Sequence, residues 1–108
     1  MSVTILIVTV KLNVSAAAYR QTVAPLVNAI LDAPGLRWKI RLLNVDRGEA
    51  GGIYLFDDEA SVEAFLAGSV IAEMKTHPAL AGLSARQFEV MGVETTLTHG
   101  PLGEGVQV

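Results

Sequence analysis

The chain has 108 residues, a length that fits one domain with a modest core. Its formal net charge of −3 gives no reason to expect a nucleic-acid partner, because nucleic-acid binders are usually basic. There is no cysteine, which excludes disulfides and thiolate chemistry. Because the N-terminus also lacks a signal-peptide pattern, we expect a cytoplasmic protein. No apolar run reaches the roughly 20 residues that span a bilayer, so no membrane partner is expected.

The first half of the chain begins with a strand over residues 3–12. This run is β-branched and apolar on both faces, which predicts a central strand covered on both sides. Ser15 then predicts the N-cap of a helix, with Tyr19 in its buried stripe. Pro25 lies inside that stripe and predicts a kink, because proline removes a helical hydrogen bond and clashes with the preceding turn.

A β-hairpin is predicted over residues 34–56, where two alternating runs flank a polar turn at residues 44–48. In the second run Gly52, Tyr54 and Phe56 share a face. The adjacent glycines predict a bulge or the close approach of a backbone or ligand. In the first run apolar side chains point one way and basic ones the other: Leu36, Trp38, Ile40 and Leu42 against Arg37, Lys39 and Arg41.

The second half predicts a helix opened by the acidic residues 57–59, a break near Gly68 and a further helical segment. A loop over Pro78–Ser84 and a last strand over Arg86–Thr96 follow. The order βαββαβ predicts a ferredoxin-like α+β fold with a four-stranded antiparallel sheet, in one domain over residues 1–97 with a tail over 98–108. Hydrophobic residues make up 51% of the chain, and the sheet face away from the helices needs cover, so we expect a homodimer.

Two blocks of this sequence resemble a known family. They are Pro34-Gly35-Leu36-Arg37-Trp38-Lys39 and Glu49-Ala50-Gly51-Gly52-Ile53-Tyr54-Leu55-Phe56, followed by Asp58-Glu59. Together they resemble the YdhR-type mono-oxygenases over nearly the whole chain. The resemblance implies a dimeric α/β barrel and a relation to small mono-oxygenases that need no cofactor. It also implies a small aromatic or polyketide-like substrate and dioxygen as the partners. Some relatives carry an aromatic residue where this chain has Arg41, which leaves the substrate open.

No cofactor motif accompanies these blocks. The sequence has no dinucleotide fingerprint, no Walker loop and no nucleophile elbow. His77 and His99 are far apart and have no cysteine beside them, so no metal site is expected. We therefore expect no cofactor.

Three residues of the hairpin are candidates for substrate binding. Trp38 is either a core residue or, through its indole N–H, a polar point in a pocket. Tyr54 has a hydroxyl that could orient a phenolic substrate, and Gly52 would leave space beside its ring. Each also has a purely structural interpretation in the packing of the sheet.

The candidates for catalysis are Arg41, Arg86 and His77. Either arginine is a surface or interface charge, or it holds a phenolate or enolate through a charge-assisted hydrogen bond. His77 is either a general base or a complement to the dipole at a helix end.

These residues support a hypothesis of a mono-oxygenase without metal or flavin. The alternatives are a non-catalytic ligand-binding or stress-related dimer, and a haem-degrading or isomerase member of the same fold. His77 stands beside Pro78 at the end of a helical segment, which argues against the helix-borne haem ligand of related barrels.

Overall fold

The computed structural model describes residues 3–103. Within this range one antiparallel sheet contains four strands: β1 (Thr4–Leu12), β2 (Leu36–Asn44), β3 (Glu49–Phe56) and β4 (Leu80–Glu89). Their order across the sheet is β2-β3-β1-β4. The α-helices of the described residues are α1 (Ala16–Val23), α2 (Val27–Leu31), α3 (Glu59–Leu66), α4 (Ser69–Thr76) and α5 (Gly92–Leu97). The predicted ferredoxin-like α+β class is confirmed. Residues 1–2 and 104–108, which include the end of the expected tail, lie outside the described residues.

Local signals in the sequence set the helix boundaries. The Ser15 hydroxyl accepts a hydrogen bond from the Ala18 N–H at 3.2 Å and caps α1. The Asp58 carboxylate accepts one from the Ser61 N–H at 2.8 Å and caps α3. Pro25 lies in a 3₁₀ turn over Ala24–Leu26 that joins α1 to α2. The junction residues keep right-handed helical dihedrals, so the chain continues through the proline as α1, a 3₁₀ turn and α2.

The last strand differs from the sequence prediction. β4 begins at Leu80, inside the predicted loop over Pro78–Ser84, and it ends at Glu89. Residues 92–96 of the predicted strand belong instead to α5, which continues to Leu97. β4 pairs with almost the full length of β1, and these hydrogen bonds decide its extent. A register shift near Thr9 and a positive φ at Gly82 interrupt the alternation that would have revealed the strand.

The two faces of the sheet carry separate apolar clusters. The larger one fills the space between the sheet and the helices. It includes Leu6, Val8 and Val10 of β1, Tyr54 and Phe56 of β3, and Tyr19, Val23, Val62, Phe65 and Ile71 of the helices. The smaller one lies on the other face, with Val3, Leu55 and Leu102 at its centre. No helix within residues 3–103 is long and apolar enough to cross a membrane.

A bulge at Arg37 decides which side chains of β2 face the helices. Leu36 pairs with Phe56 and packs on the helix side, whereas Trp38 pairs with Leu55 on the opposite side. The prediction that Leu36 shares a side with Trp38 is therefore wrong. Because side chains alternate again beyond the bulge, the basic residues after Trp38 turn toward the helices.

Candidate functional site

A cleft lies between the β2–β3 hairpin and the helices. Its inner part has a volume of about 10 Å³, which is close to the least that holds one water molecule. It adjoins an outer depression of about 280 Å³ at Tyr19 and Arg41. The walls of the inner part are mostly apolar. They are formed by Val8, Tyr19, Val23, Leu26, Ile30, Lys39, Arg41, Gly51, Gly52, Tyr54 and Met74.

Sheet register places the charged groups of this cleft. Lys39 pairs with Tyr54 and Arg41 pairs with Gly52 across β2 and β3. The Lys39 Nζ lies 4.5 Å from the centroid of the Tyr54 ring. A Cβ atom built on Gly52 would be 2.5 Å from the Lys39 Cε. Gly52 thus provides the space through which the Lys39 side chain reaches the tyrosine ring.

Tyr54 is buried, and its hydroxyl has no hydrogen-bond partner among residues 3–103. The side chain is 1% exposed, and its ring packs 5.1 Å from that of Phe65 and 6.0 Å from that of Phe56. Every side-chain polar atom that is fully buried in that range has a partner, so the unpaired hydroxyl of Tyr54 is not fully buried. The small remaining exposure therefore includes the hydroxyl oxygen.

Burial also fixes the protonation of the two tyrosines. It raises the pKa of Tyr54 to about 12, although the nearby Arg41 charge acts in the opposite direction. Burial raises the pKa of Tyr19 as well, again against Arg41. Both side chains are neutral phenols at pH 7 and can donate a hydrogen bond to an anion.

Lys39 and Arg41 give the cleft positive charge without a counter-ion. Burial, and then the repulsion of Arg41, lowers the pKa of Lys39 to about 8. The contact with the Tyr54 ring acts in the opposite direction and favours the ammonium form. Among residues 3–103 neither cation has a carboxylate partner. The cleft can therefore accept an anion as the missing partner.

Trp38 lies on the opposite face of the sheet from this cleft. Its indole N–H donates a hydrogen bond to the Pro101 carbonyl at 2.6 Å. Its ring packs against the cluster that contains Leu55 and Leu102. The structure does not bring Trp38 and Tyr54 into one pocket, because they project from opposite sides of the sheet.

The segment after α5 is held to the sheet by Arg37, the residue of β2 next to Trp38. The Arg37 side chain donates a hydrogen bond to the Leu102 carbonyl at 3.1 Å and forms an ion pair with Asp57 at 2.6 Å. Leu102 is buried. The described part of the expected tail, up to Gly103, therefore packs on the domain.

The remaining predicted residues lie elsewhere. Arg86 is exposed on β4, where it pairs with Ile7, and its guanidinium carbon is 5.2 Å from the Phe88 ring centroid. His77 ends α4, and its Nδ1 accepts a hydrogen bond from the Ala79 N–H at 3.1 Å. Neither Arg86 nor His77 lines the cleft.

The cleft brings together three of the six predicted residues, Arg41, Gly52 and Tyr54, and it adds Lys39 and Tyr19. Sequence reasoning assigned Lys39 to the polar side of a half-buried strand and Tyr19 to the core. Gly52 and Tyr54 share a face of β3, and β3 pairs with β2. This pairing is the signal from which Lys39 could have been recognised as a residue of the cleft.

Solved structures with the same fold include proteins of several kinds. NE2512 from Nitrosomonas europaea, described as a protein of unknown function, has a TM-score of 0.69 and 21% identity. The alignment covers 84% of this chain and 91% of that one. SO0527 from Shewanella oneidensis has a TM-score of 0.67 and 11% identity, with 82% and 91% covered. The heme-degrader MhuD from Mycobacterium tuberculosis, solved with two hemes in its active site, has a TM-score of 0.64 and 19% identity, with 82% and 95% covered. These identities show a shared fold.

The residues of the cleft do not fit a haem group. No His or Cys is present among the described residues that line it. Tyrosinate ligation is opposed by the raised pKa values of Tyr19 and Tyr54. Within residues 3–103, no three His, Cys, Asp or Glu side chains group together as a metal site requires.

Sequence comparison assigns the family. No curated protein matches the chain. The family model described as "Putative mono-oxygenase ydhR" matches residues 5–101, which covers β1 to the segment after α5. The chain therefore belongs to the ydhR mono-oxygenase family.

Proposed function

We propose that this protein is a mono-oxygenase that needs no metal or flavin and acts on a small aromatic or polyketide-like molecule. The observation that carries the proposal is the convergence of Lys39, Arg41, Tyr19 and Tyr54 in an apolar cleft. In each of these side chains the polar group lacks a hydrogen-bond or ion-pair partner within residues 3–103. Family membership supports the reaction class.

The family resemblance suggests the substrate class, and the positive charge and apolar walls of the cleft are compatible with it. An aromatic ketone with an acidic CH₂ group, as in an anthrone, loses one proton to form a delocalised anion that dioxygen can attack. The balanced reaction is R₂CH₂ + O₂ → R₂C=O + H₂O. The carbon supplies all four electrons, so no further reductant is required. One oxygen atom enters the product and the other leaves as water.

The side chains of the cleft suit the steps of this reaction. The Arg41 guanidinium donates charge-assisted hydrogen bonds to the oxyanion, where low polarity strengthens them. The neutral hydroxyls of Tyr19 and Tyr54 donate to oxygen atoms of the substrate and orient its ring. The apolar walls keep water from the reactive intermediate.

Substrate entry requires the cleft to open, because its inner volume is far smaller than an aromatic ring system. The outer depression at Tyr19 and Arg41 gives the route. The wall that must move contains the 3₁₀ turn at Pro25, where the helical hydrogen-bond ladder is already interrupted.

The other face of the sheet supports a homodimer. By register, Ile40 and Phe88 lie on that face, and they are 49% and 44% exposed. Met91, Val93 and Leu97 beside them are at least half exposed. A second copy that packs on this face would remove these side chains from water and leave both clefts accessible.

Light scattering at micromolar concentration should report a dimer, and Ile40→Lys should shift it toward monomer. A monomeric wild type would contradict the assembly.

Oxygen uptake tests the proposed function. Protein freed of metal and flavin is mixed with a panel of hydroxylated anthrones in buffer with ¹⁸O₂, and the product is analysed by mass spectrometry. We expect one ¹⁸O atom in the carbonyl product. Arg41→Met should slow turnover by about 100-fold or more. Arg86→Met, the matched control on the other face, should not.

Three outcomes would count against the proposal. Activity only after addition of metal, flavin or haem would overturn the cofactor-free reaction. Equal activity of Arg41→Met and wild type would separate the reaction from the cleft. Binding without turnover across the panel would favour a non-catalytic ligand-binding protein.

A further inference from the structure

Oxygenation of a carbon acid needs a group that removes the first proton, and the cleft offers one that the sequence did not indicate. His77 lies outside the cleft with its Nδ1 occupied by the Ala79 N–H. The two tyrosines are protonated and cannot accept the proton at pH 7. Arg41 stays protonated and cannot accept a proton, so Lys39 is the candidate base among the described residues of the inner cleft.

We propose that Lys39, as the neutral amine, is the proton acceptor of this cleft, and that it takes the proton from the acidic C–H of the bound substrate. The inference rests on the proposed substrate class, but it does not depend on the later reaction with dioxygen.

The position of Lys39 fits this role. The space at Gly52 lets its side chain cross to β3, and its Nζ lies over the face of the Tyr54 ring, 4.5 Å from the ring centroid. A substrate held by the Tyr54 hydroxyl and by Arg41 would lie beside the amine. Apolar residues line the cleft around this side chain, which is only partly exposed, so the amine has limited contact with bulk water.

The surrounding charges favour the neutral amine. Arg41 faces Lys39 from β2, Tyr54 from β3 and Tyr19 from α1, while α4 contributes the apolar Met74. Arg20 of α1 lies at the outer depression. None of these groups is acidic. With a pKa of about 8, the neutral fraction at pH 7 is about 300-fold larger than that of a lysine with the ordinary pKa.

The proton transfer balances without an added reagent. The C–H bond breaks, an N–H bond forms, and the electron pair stays on the substrate, delocalised onto its carbonyl oxygen beside Arg41. After dioxygen adds, the ammonium returns the proton to the peroxide. Loss of water with the second C–H proton then gives the carbonyl product.

Hydrogen–deuterium exchange without oxygen isolates this step. A hydroxylated anthrone is incubated anaerobically with the protein in D₂O, and deuterium at its CH₂ group is followed by NMR. We expect wild type to accelerate exchange over buffer, with a rate that rises with pH to a plateau above about 8. Lys39→Met should lower the rate by at least about 100-fold. In Lys39→Ala, where the shortened side chain leaves room, added ethylamine should restore part of the rate.

Two further variants separate a base from a simple charge. Lys39→Arg keeps the positive charge but offers no neutral form, so it should be as inactive as Lys39→Met. Lys75→Met removes an exposed lysine of α4 and should leave exchange unchanged. Thermal melting of each variant confirms that the folded protein is compared.

Every outcome decides between the two proposals. Exchange that depends on Lys39, with no oxygen uptake in air, supports Lys39 as the base and overturns the oxygenase. Oxygen uptake that is equal in Lys39→Met and wild type overturns Lys39 and leaves the oxygenase. No exchange by wild type, or full exchange by Lys39→Arg, also overturns Lys39. A borohydride-trapped adduct on Lys39 would show an imine-forming nucleophile and overturn its role as the base.

Discussion

Replacement of Lys39 by Met should stabilise the folded protein at pH 7, although it removes a side chain of the candidate site. The ammonium group is partly buried beside Arg41 and has no carboxylate partner within residues 3–103. Methionine has a similar shape and no charge, so it keeps the packing against the apolar walls and removes the unfavourable protonation.

The sign and size of the effect follow from linkage. The pKa of Lys39 is about 8 in the folded protein and 10.5 in an unperturbed lysine, so between these values the unfolded chain binds more protons. The stability of wild type therefore rises with pH across this window, and the penalty is fully present below pH 8. Its upper limit at pH 7 is about 3 kcal/mol. Because part of the side chain faces solvent and the contact with the Tyr54 ring is lost, we expect a gain of about 1–2 kcal/mol.

Urea unfolding at pH 7 and at pH 10 measures this difference. Lys39→Met should be more stable than wild type at pH 7, and the gap should fall below about 1 kcal/mol at pH 10. Lys75→Met, the exposed control, should show a small difference that does not change with pH. If Lys39→Met is less stable at pH 7, or if the gap is the same at both pH values, Lys39 does not have the lowered pKa on which the reasoning depends.

Four further substitutions test the two faces of the sheet. Gly52→Ala should displace the Lys39 side chain and lower turnover with little loss of stability. Gly51→Ala should lower the free energy of unfolding in urea by about 3 kcal/mol, because its Cβ would overlap the Val8 carbonyl. Trp38→Phe should lower stability by about 1 kcal/mol through the lost bond to Pro101 and leave oxygen uptake unchanged. Tyr54→Phe should change stability by less than about 0.5 kcal/mol, since its hydroxyl bonds to no residue in the described range, and should weaken substrate binding measured by calorimetry.

Local chemistry made much of the fold predictable. Ser15 caps the helix that it was expected to cap, and the acidic run 57–59 supplies the cap of α3 through Asp58, because a capping side chain acts on an N–H three residues away. The hairpin was predictable for a similar reason, since its turn and its alternating runs are adjacent in sequence. The extent of β4 was not predictable in this way, because it depends on pairing with β1, more than 60 residues earlier in the chain.

The candidate site was harder to predict because it depends on which face of β2 meets the helices. Alternation in β2 correctly separated Lys39 and Arg41 from Trp38, but periodicity cannot say which of the two sides meets the helices. Pairing with β3 supplies that information, since Tyr54 and Phe56 face the helices and Lys39 pairs with Tyr54. The bulge at Arg37 then lets Leu36 join the helix side as well.

Trp38 and Lys39 are adjacent in one sequence block, but they project to opposite faces of the sheet and have different roles there. Neighbouring residues of a strand project to opposite faces, so the two side chains cannot line one pocket. Trp38 binds Pro101 on the face away from the helices, and Lys39 lines the cleft between sheet and helices. Trp38 fluorescence therefore reports first on docking of the C-terminal segment. Binding of a ligand in the cleft is better followed through the absorbance of the ligand or through the titration of the Lys39 amine, which the ligand should change directly.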